Sequence, residues 1–231
     1  MKTLIIIPTK DRPKALNRLL SSLSKSDHTC DIVVMMDERT PKLRNNKKIS
    51  NKFDSTYITH KVNGLNNIYN LSVEQNPNYE RYIFLNDDCF VKDKNWYEKL
   101  DVIYTTTHPK LITFSNPNTY SALCISKKVL EEIGYFDKRY ISGGHEDNDL
   151  SLELGNLYCK TFPKSPYSEG IIVGTHLISH DNKYNGGSTI WNHSLNKEQF
   201  DKKWGKCLSS EGIRSKNGTN HYKKIKNDIN S

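Results

Sequence analysis

No glycine-rich phosphate loop occurs among the 231 residues: there is neither GxxxxGK[ST] nor a GxGxxG following an apolar strand. That removes the P-loop and dinucleotide-fold readings of any nucleotide site. CxxC is also missing. The five cysteines, Cys30, Cys89, Cys124, Cys159 and Cys207, are odd in number and scattered, which argues against a zinc site or a disulfide framework and for a reducing compartment. Long apolar runs are lacking too. The opening MKTLIIIPTKDRP holds only Leu4 to Ile7 before Pro8. That is too short for a secretory signal and far below the roughly 20 residues of a membrane helix. The expectation is a cytoplasmic protein with no transmembrane segment, in which the Asn-x-Ser/Thr triplets at Asn70, Asn192 and Asn217 are chance. Acids are in deficit, 26 against 34 Lys and Arg, for a formal charge of +8. Such a balance permits anionic partners without proving one.

Apolar residues make up 35% of the chain and the mean hydropathy is −0.73, low for a globular protein. The abundant Asn and Lys account for much of this. The chain is still not disordered by composition, because LIII, DIVVMM and RYIFL can each supply a buried strand. The length suits one domain, expected over residues 1–205, followed by a basic, Gly/Ser/Asn-rich tail over 206–231.

Strands and helices alternate. Residues 3–7 form an apolar strand; 12–23 carry Ala15, Leu16, Leu19, Leu20 and Leu23 at helical spacing with Pro13 in the first turn. A second strand covers 31–36, a polar basic loop 41–53, a strand STYIT, a helix 65–75 after Gly64, and a strand 81–85 that stops at NDD. This repetition implies an α/β fold with a largely parallel, Rossmann-like sheet flanked by helices.

In open α/β sheets, ligands bind beyond the carboxyl ends of the strands. The first strand exits into Thr9, Lys10, Asp11 and Arg12, the second into Asp37 and Glu38, the third of these into Asn86, Asp87 and Asp88. Asp and Asn suit turns and helix caps, so any single exit has an ordinary explanation. Three together, with a fourth acidic cluster in ISGGHEDNDL at Glu146, Asp147 and Asp149, point to an active site. With no phosphate loop, carboxylates holding Mg2+ or Mn2+ are the natural way to bind a diphosphate. The acids at 146–149 also suit the first turn of a helix, where the dipole stabilises negative charge.

These segments together resemble the GT-A nucleotide-sugar glycosyltransferases, and most of all family 2 of that group. IIIPTKDRPKALNRLLSSL resembles the family's opening strand and helix, VVMMDE its second strand ending in a base-reading acid, and NGLNNIYNLS its glycine- and asparagine-containing helix start. YIFLNDDCF resembles the DxD strand exit, with Asn86 in place of the first acid. LEEIGYFDKRYISGGHEDNDLSLEL resembles the acceptor-side segment, and its GGHEDNDL is similar to the WGGEDDD element of galactosyltransferases, with a His inserted. LISHDNKYN resembles the later metal-binding His segment and FDKKWG the closing F-x-x-K-W.

The resemblance implies a metal-dependent hexosyltransferase that moves a sugar from a nucleotide-diphosphate sugar, a UDP-sugar, to an acceptor hydroxyl with inversion. Donor binding would fall to Pro8, Thr9, Asp11, Arg12, Asp37, Gly64, Asn70, Asn86 and Asp87. Metal binding would fall to Asp88 and His180, with His176 and His145 as rivals for the histidine. Gly143, Gly144 and Glu146 would meet the acceptor, and Asp147 would act as general base, or Glu146 if the register differs by one. Arg12 could instead pair with a surface acid, Asn70 could only cap a turn, and Asp149 would cap the helix. The acceptor is a glycan, a protein or DNA; a sugar transferase acting on hydroxymethylated bases would match the basic charge. A binding module that has lost catalysis and a nucleotidyltransferase are the readings from other classes.

Overall fold

The run Leu4 to Ile7 lies at the middle of the molecule. In the computed structural model, which describes residues 1–114, 120–141, 144–159, 169–180 and 193–204, it belongs to β1 (Thr3–Thr9), buried along its whole length. Ile5 and Ile7 join one hydrophobic cluster, Leu4 and Ile6 the other. A strand covered on both faces needs apolar residues at every position, which is why it reads as an unbroken run. β2 (Asp31–Asp37) and β4 (Arg81–Leu85) flank it in parallel, and β3 (Thr56–His60) pairs in parallel with β2. The sheet continues through β7 (Ala122–Ser126), β6 (Leu111–Thr113) and β8 (Ile172–Gly174), giving the order β3-β2-β1-β4-β7-β6-β8. Only β7 runs against the rest: its pairings with β4 and β6 are antiparallel, while β6 and β8 are parallel. β5 (Cys89–Val91) and β9 (Ile178–His180) form a separate antiparallel ladder.

Helices cover both faces. α1 (Pro13–Leu23) and α4 (Trp96–Thr107) pack against Ile5, Ile7, Val34, Ile83 and Leu85, and α2 (Leu43–Lys52) lies beside α1. On the other face α3 (Leu65–Gln75), α5 (Lys127–Glu132) and α6 (Glu146–Tyr158) cover Leu4, Ile6, Val33 and Phe84. The last described helix is α7 (His193–Trp204). The expected tail over 206–231 and Gly143 lie outside the described residues.

α2 overturns the loop expected at 41–53. Its most buried positions are Asn46 and Ser50, both at 0% exposure, so the apolar stripe that announces a helix is largely absent. The amide of Asn46 instead donates to the carbonyl of Lys10 at 2.7 Å, which ties α2 to the loop after β1. The helix expected over 65–75 has those bounds.

One long-range joint shapes the site side. Gly64 has φ +84°, and a Cβ there would come within 2.8 Å of the Ile141 Cα and 2.9 Å of the Tyr140 carbonyl oxygen. Only glycine tolerates both that dihedral and that approach. From α3, Asn66 donates to the Asp137 carbonyl at 3.0 Å. The Asn70 amide pairs with both backbone groups of Phe136, at 2.8 and 3.1 Å. The segment leading into α6 is thereby docked on α3.

Candidate active site

Because β1 lies between β2 and β4, the exits of these three strands are neighbours. The Thr9 hydroxyl at the end of β1 donates to Asp87 Oδ2 at 2.7 Å. Arg12, just ahead of α1, reaches Asp87 Oδ1 with Nη2 at 2.5 Å and Asp88 Oδ2 with Nη1 at 2.6 Å. Asp87 and Asp88 are 1% and 5% exposed. Burial pushes the Asp87 carboxyl up to about 6, against the pull of Arg12 and Thr9. Asn86 uses its backbone N–H on the Ser121 carbonyl at 2.8 Å, and its Oδ1 accepts from the Tyr69 hydroxyl at 3.4 Å. Pro8 is buried in β1 opposite Met35.

At the β2 exit, Asp37 takes a two-point contact from Arg39, Nε to Oδ1 and Nη2 to Oδ2, both at 2.8 Å, with the Arg39 backbone N–H at 2.9 Å. Lys10 stands 3.4 Å away. The Arg39 side chain first, then its backbone N–H and charge, holds the Asp37 carboxyl well below the usual range, against a smaller opposing effect of burial. Asp11 accepts from the Thr40 hydroxyl, which anchors the loop after β1. Arg39 and the buried His60, paired in register with Asp37, are partners that sequence reasoning missed. Their signal is only proximity to a strand exit.

The second acidic group lies at the head of α6. Gly144 (φ +101°) and His145 (φ +68°) lead into it in left-handed conformations. A histidine there is unusual and is braced from α7. Its ring packs 5.4 Å from that of Phe200, and Asn196 donates to the Gly144 carbonyl at 2.7 Å. Asp149 is not a helix cap. It points inward, 3% exposed, and accepts from Trp204 Nε1 at 2.6 Å and Tyr140 Oη at 3.2 Å, with Lys203 Nζ 2.8 Å away. Lys203 also pairs with Asp137 at 3.0 Å and Glu153 at 2.7 Å. The Lys-Trp of the closing motif is therefore the anchor of this acidic helix.

The two acids ahead of Asp149 differ. Asp147 Oδ1 accepts from the next backbone N–H, that of Asn148, at 2.8 Å. Glu146 Oε2 is buried with no hydrogen-bond partner among the described residues. Burial, helped by the Asp147 charge, raises its carboxyl to about 7. Glu146 borders a 290 Å3 cleft formed with the 133–138 segment, Asn66 and Lys203. The buried Tyr69 phenol lies within electrostatic range of Glu146, Asp88 and Asp87, though burial is the main cause that raises it.

The structure thus joins Thr9, Arg12, Asp87 and Asp88 directly, sets Asp11 and Asp37 at the adjoining exits, and places Glu146 on the cleft between the head of α6 and the 133–138 segment. Gly64 and Asn70 serve the α3 joint instead, with the Asn70 amide committed to Phe136. His176 is exposed. His180 enters by its backbone, in register with Cys89 and so one residue from Asp88. Among the described residues no group of three His, Cys, Asp or Glu is arranged to hold a metal ion. The donor set still fits a hard divalent ion. Asp87 and Asp88 are adjacent buried carboxylates already gathered around one cationic group, and such ions take one or two carboxylates plus phosphate oxygens.

No protein-family model matches the sequence, and no curated protein matches it. Solved structures do resemble the fold. S. aureus TarS 1-349 aligns with TM-score 0.54 at 18% identity, covering 68% of this chain and 55% of its own. A longer S. aureus TarS structure gives 0.57 at 14%, covering 87% and 42%. The mannosyltransferase PcManGT from Pyrobaculum calidifontis, in complex with GDP-Man and Mn2+, gives 0.56 at 10%, covering 75% and 56%. The chain spans about half the length of these proteins. At such identities the likeness is one of fold, and the fold is the GT-A type.

Proposed function

We propose that this chain is a glycosyltransferase. It moves a sugar from a nucleoside diphosphate sugar to an acceptor hydroxyl, with inversion at the anomeric carbon. The observation that carries this reading is the buried Asp87–Asp88 pair at the end of β4, gathered by Thr9 and Arg12 where the parallel strands exit. The structural likeness to a mannosyltransferase solved with GDP-Man and Mn2+ supports it.

Thr9, Asp11 and Asp37 line the strand exits where the nucleoside would lie. Asp88, with Asp87, would hold a divalent cation, Mn2+ or Mg2+, and His180, whose backbone pairs with Cys89, is the histidine that the resemblance proposes as a further ligand. Bound there, the cation would supply Lewis-acid neutralisation of the departing diphosphate. Arg12 keeps the two carboxylates together.

We assign the general base to Glu146 rather than to Asp147, the first choice on resemblance. Asp147 accepts from its own helix. Backbone N–H groups at Glu146 and Gly144 also reach the Glu146 carboxyl, but one of its oxygens stays buried without a partner among the described residues, and burial raises the carboxyl to about 7. A base poised near neutral pH is well matched to its task. Glu146 would take the proton of the acceptor hydroxyl as that oxygen bonds to the anomeric carbon. The bond from that carbon to the diphosphate oxygen breaks, and the nucleoside diphosphate leaves with its electron pair. Incubation with nucleotide sugars and Mn2+ should release free nucleoside diphosphate. Chelator or Asp88→Ala should abolish the release. Pyrophosphate as product would point instead to nucleotidyl transfer.

A further inference from the structure

An open groove of about 1040 Å3 lies between α1, α2 and the segment after β5, and it shares no lining residue with the cleft at Glu146. Its lining sets six cations, Lys14, Arg18, Lys25, Lys48, Lys92 and Lys94, against one carboxylate, Asp93. Asp93 is already engaged by Lys99 and by the Asn95 backbone N–H. Lys94 has Asp27 at 3.5 Å, between exposed side chains. An exposed pair of that kind contributes little, so the groove keeps most of its positive charge.

One of the six is not a lysine, and it is held differently. The Arg18 guanidinium carbon lies 3.9 Å from the centre of the Phe90 ring, and Lys92 Nζ lies 5.3 Å from the same centre. Phe90, partly buried in β5, does not itself line the groove, whereas Arg18 does. The ring therefore backs the guanidinium where it borders the groove. A planar guanidinium held on an aromatic face is a flat, weakly hydrated cation, on which a further flat ring can stack. The lysines are point charges that suit phosphates and offer no plane. The carboxamides of Asn17 and Asn45, in the same lining, carry both donors and acceptors for polar ring edges.

We infer that this groove binds a single strand of nucleic acid, with phosphates along the lysines and a base stacked on Arg18. Charge alone would serve any polyanion. The Arg18–Phe90 pair is what favours one that carries flat rings. A cationic groove combined with a stacking surface is the usual means of holding a single strand. Such a strand can turn a base out onto an aromatic ring or an arginine plane, whereas a duplex keeps its bases stacked inside. The inference stands apart from the glycosyltransferase reading, and its test does not require turnover.

The test is fluorescence anisotropy of end-labelled oligothymidylate, oligouridylate and an abasic deoxyribose-phosphate strand of equal length. The base-bearing strands should bind more tightly than the abasic one, and the tighter of the two tells DNA from RNA. Binding should weaken with salt, with a log–log slope of roughly −0.7 per phosphate engaged. The triple reversal Lys14→Glu, Lys48→Glu and Lys92→Glu, all at exposed positions, should flatten that slope by about 2. Reversal of Lys61, Lys128 and Lys138 to Glu, exposed elsewhere, makes the same change in net charge and should leave the slope nearly as it was. Arg18→Lys keeps the charge and removes the plane. It should weaken the base-bearing strands by about 5- to 100-fold, the loss of one stacked base, and leave the abasic strand unchanged. Phe90→Leu, which removes the backing ring, should do likewise. Neither residue belongs to the two hydrophobic clusters, so the thermal midpoint should hold in both variants. Equal binding of abasic and base-bearing strands, or an Arg18→Lys effect that is absent or shared by both, would overturn the proposal. Equal loss in the two lysine triples, tighter binding of duplex DNA, binding only to anionic phospholipid vesicles, or no binding at low salt would each overturn it as well.

Discussion

Glu146 and Asp147 carry the same functional group one position apart, and the helix start gives them different chemistry. A helix turns about 100° per residue, so neighbouring side chains leave it in different directions. Asp147 accepts from the backbone N–H of Asn148 in α6, while Glu146 buries one carboxylate oxygen without a partner among the described residues. Glu146→Gln should lower turnover by a factor on the order of 10²–10⁴ with donor binding nearly intact. Asp147→Asn should lower it far less, and the reverse pattern would return the base to Asp147. Wild-type turnover should rise with pH through about 7 as Glu146 loses its proton. Stability should move the other way. Between the ordinary carboxyl value of 4.5 and about 7 the folded state keeps a proton that the unfolded state has released, so unfolding free energy falls as pH rises through that window. Glu146→Gln removes this cost. Its thermal midpoint should match the wild type near pH 4.5 and exceed it at pH 8.

Two helices outside the strand exits set the position of α6. From one side α3 grips the 136–141 segment, with Gly64 packed directly against its backbone. Gly64→Ala should cost at least 1–2 kcal/mol, roughly, for the left-handed dihedral alone. Contact with the Tyr140–Ile141 backbone adds to that, and thermal or denaturant unfolding would read the loss. From the other side, Lys203 gathers Asp137, Asp149 and Glu153. Burial would lower the Lys203 ammonium, yet these three carboxylates raise it. Lys203→Met leaves them without their shared cation, which should cost a few kcal/mol, by analogy with the roughly 3–5 kcal/mol of broken buried pairs. Because α7 also holds Gly144 and His145, that variant should lose kcat with little change in donor KM and shift the pH–rate profile. Lys203→Arg should restore part of both. A lower melting temperature with kcat and pH profile unchanged would make Lys203 structural only.

At the scale of the molecule, the proposed reading assigns the donor to the exits of β1, β2 and β4 and the acceptor to the side headed by α6. No described helix is long and apolar enough to cross a membrane. If the two carboxylates and a divalent ion hold the diphosphate, a nucleoside diphosphate with Mn2+ should raise the thermal midpoint. Saturation at a hundredfold over Kd is worth about 2.7 kcal/mol, which is several degrees for a chain of this size. Chelator should remove the shift, and Asp88→Ala should remove it while the apo protein still melts cooperatively. An unchanged shift in excess chelator would sink the metal assignment and leave Arg12 and Lys10 as the diphosphate partners.

By itself the sequence determined what short-range chemistry can encode. The two-sided burial of β1, β2 and β4 appears as unbroken apolar runs, and the stripe of α1 as leucines at helical spacing after Pro13. The strand exits appear as Thr9, Asp37 and Asn86–Asp88 following those runs. Placing these exits side by side needs only the topology that such alternation implies. α2 stayed hidden because its inward face is Asn46 and Ser50, polar groups whose burial makes sense only once Lys10 lies over them. Asn70, Gly64 and Asp149 looked like site residues or caps because nothing local shows that Phe136, Ile141 and Trp204 will meet them. The difference between Glu146 and Asp147 was likewise decided by tertiary structure. It depends on which carboxyl the packing of α3, α6 and α7 removes from water, and desolvation is set by neighbours distant in the chain.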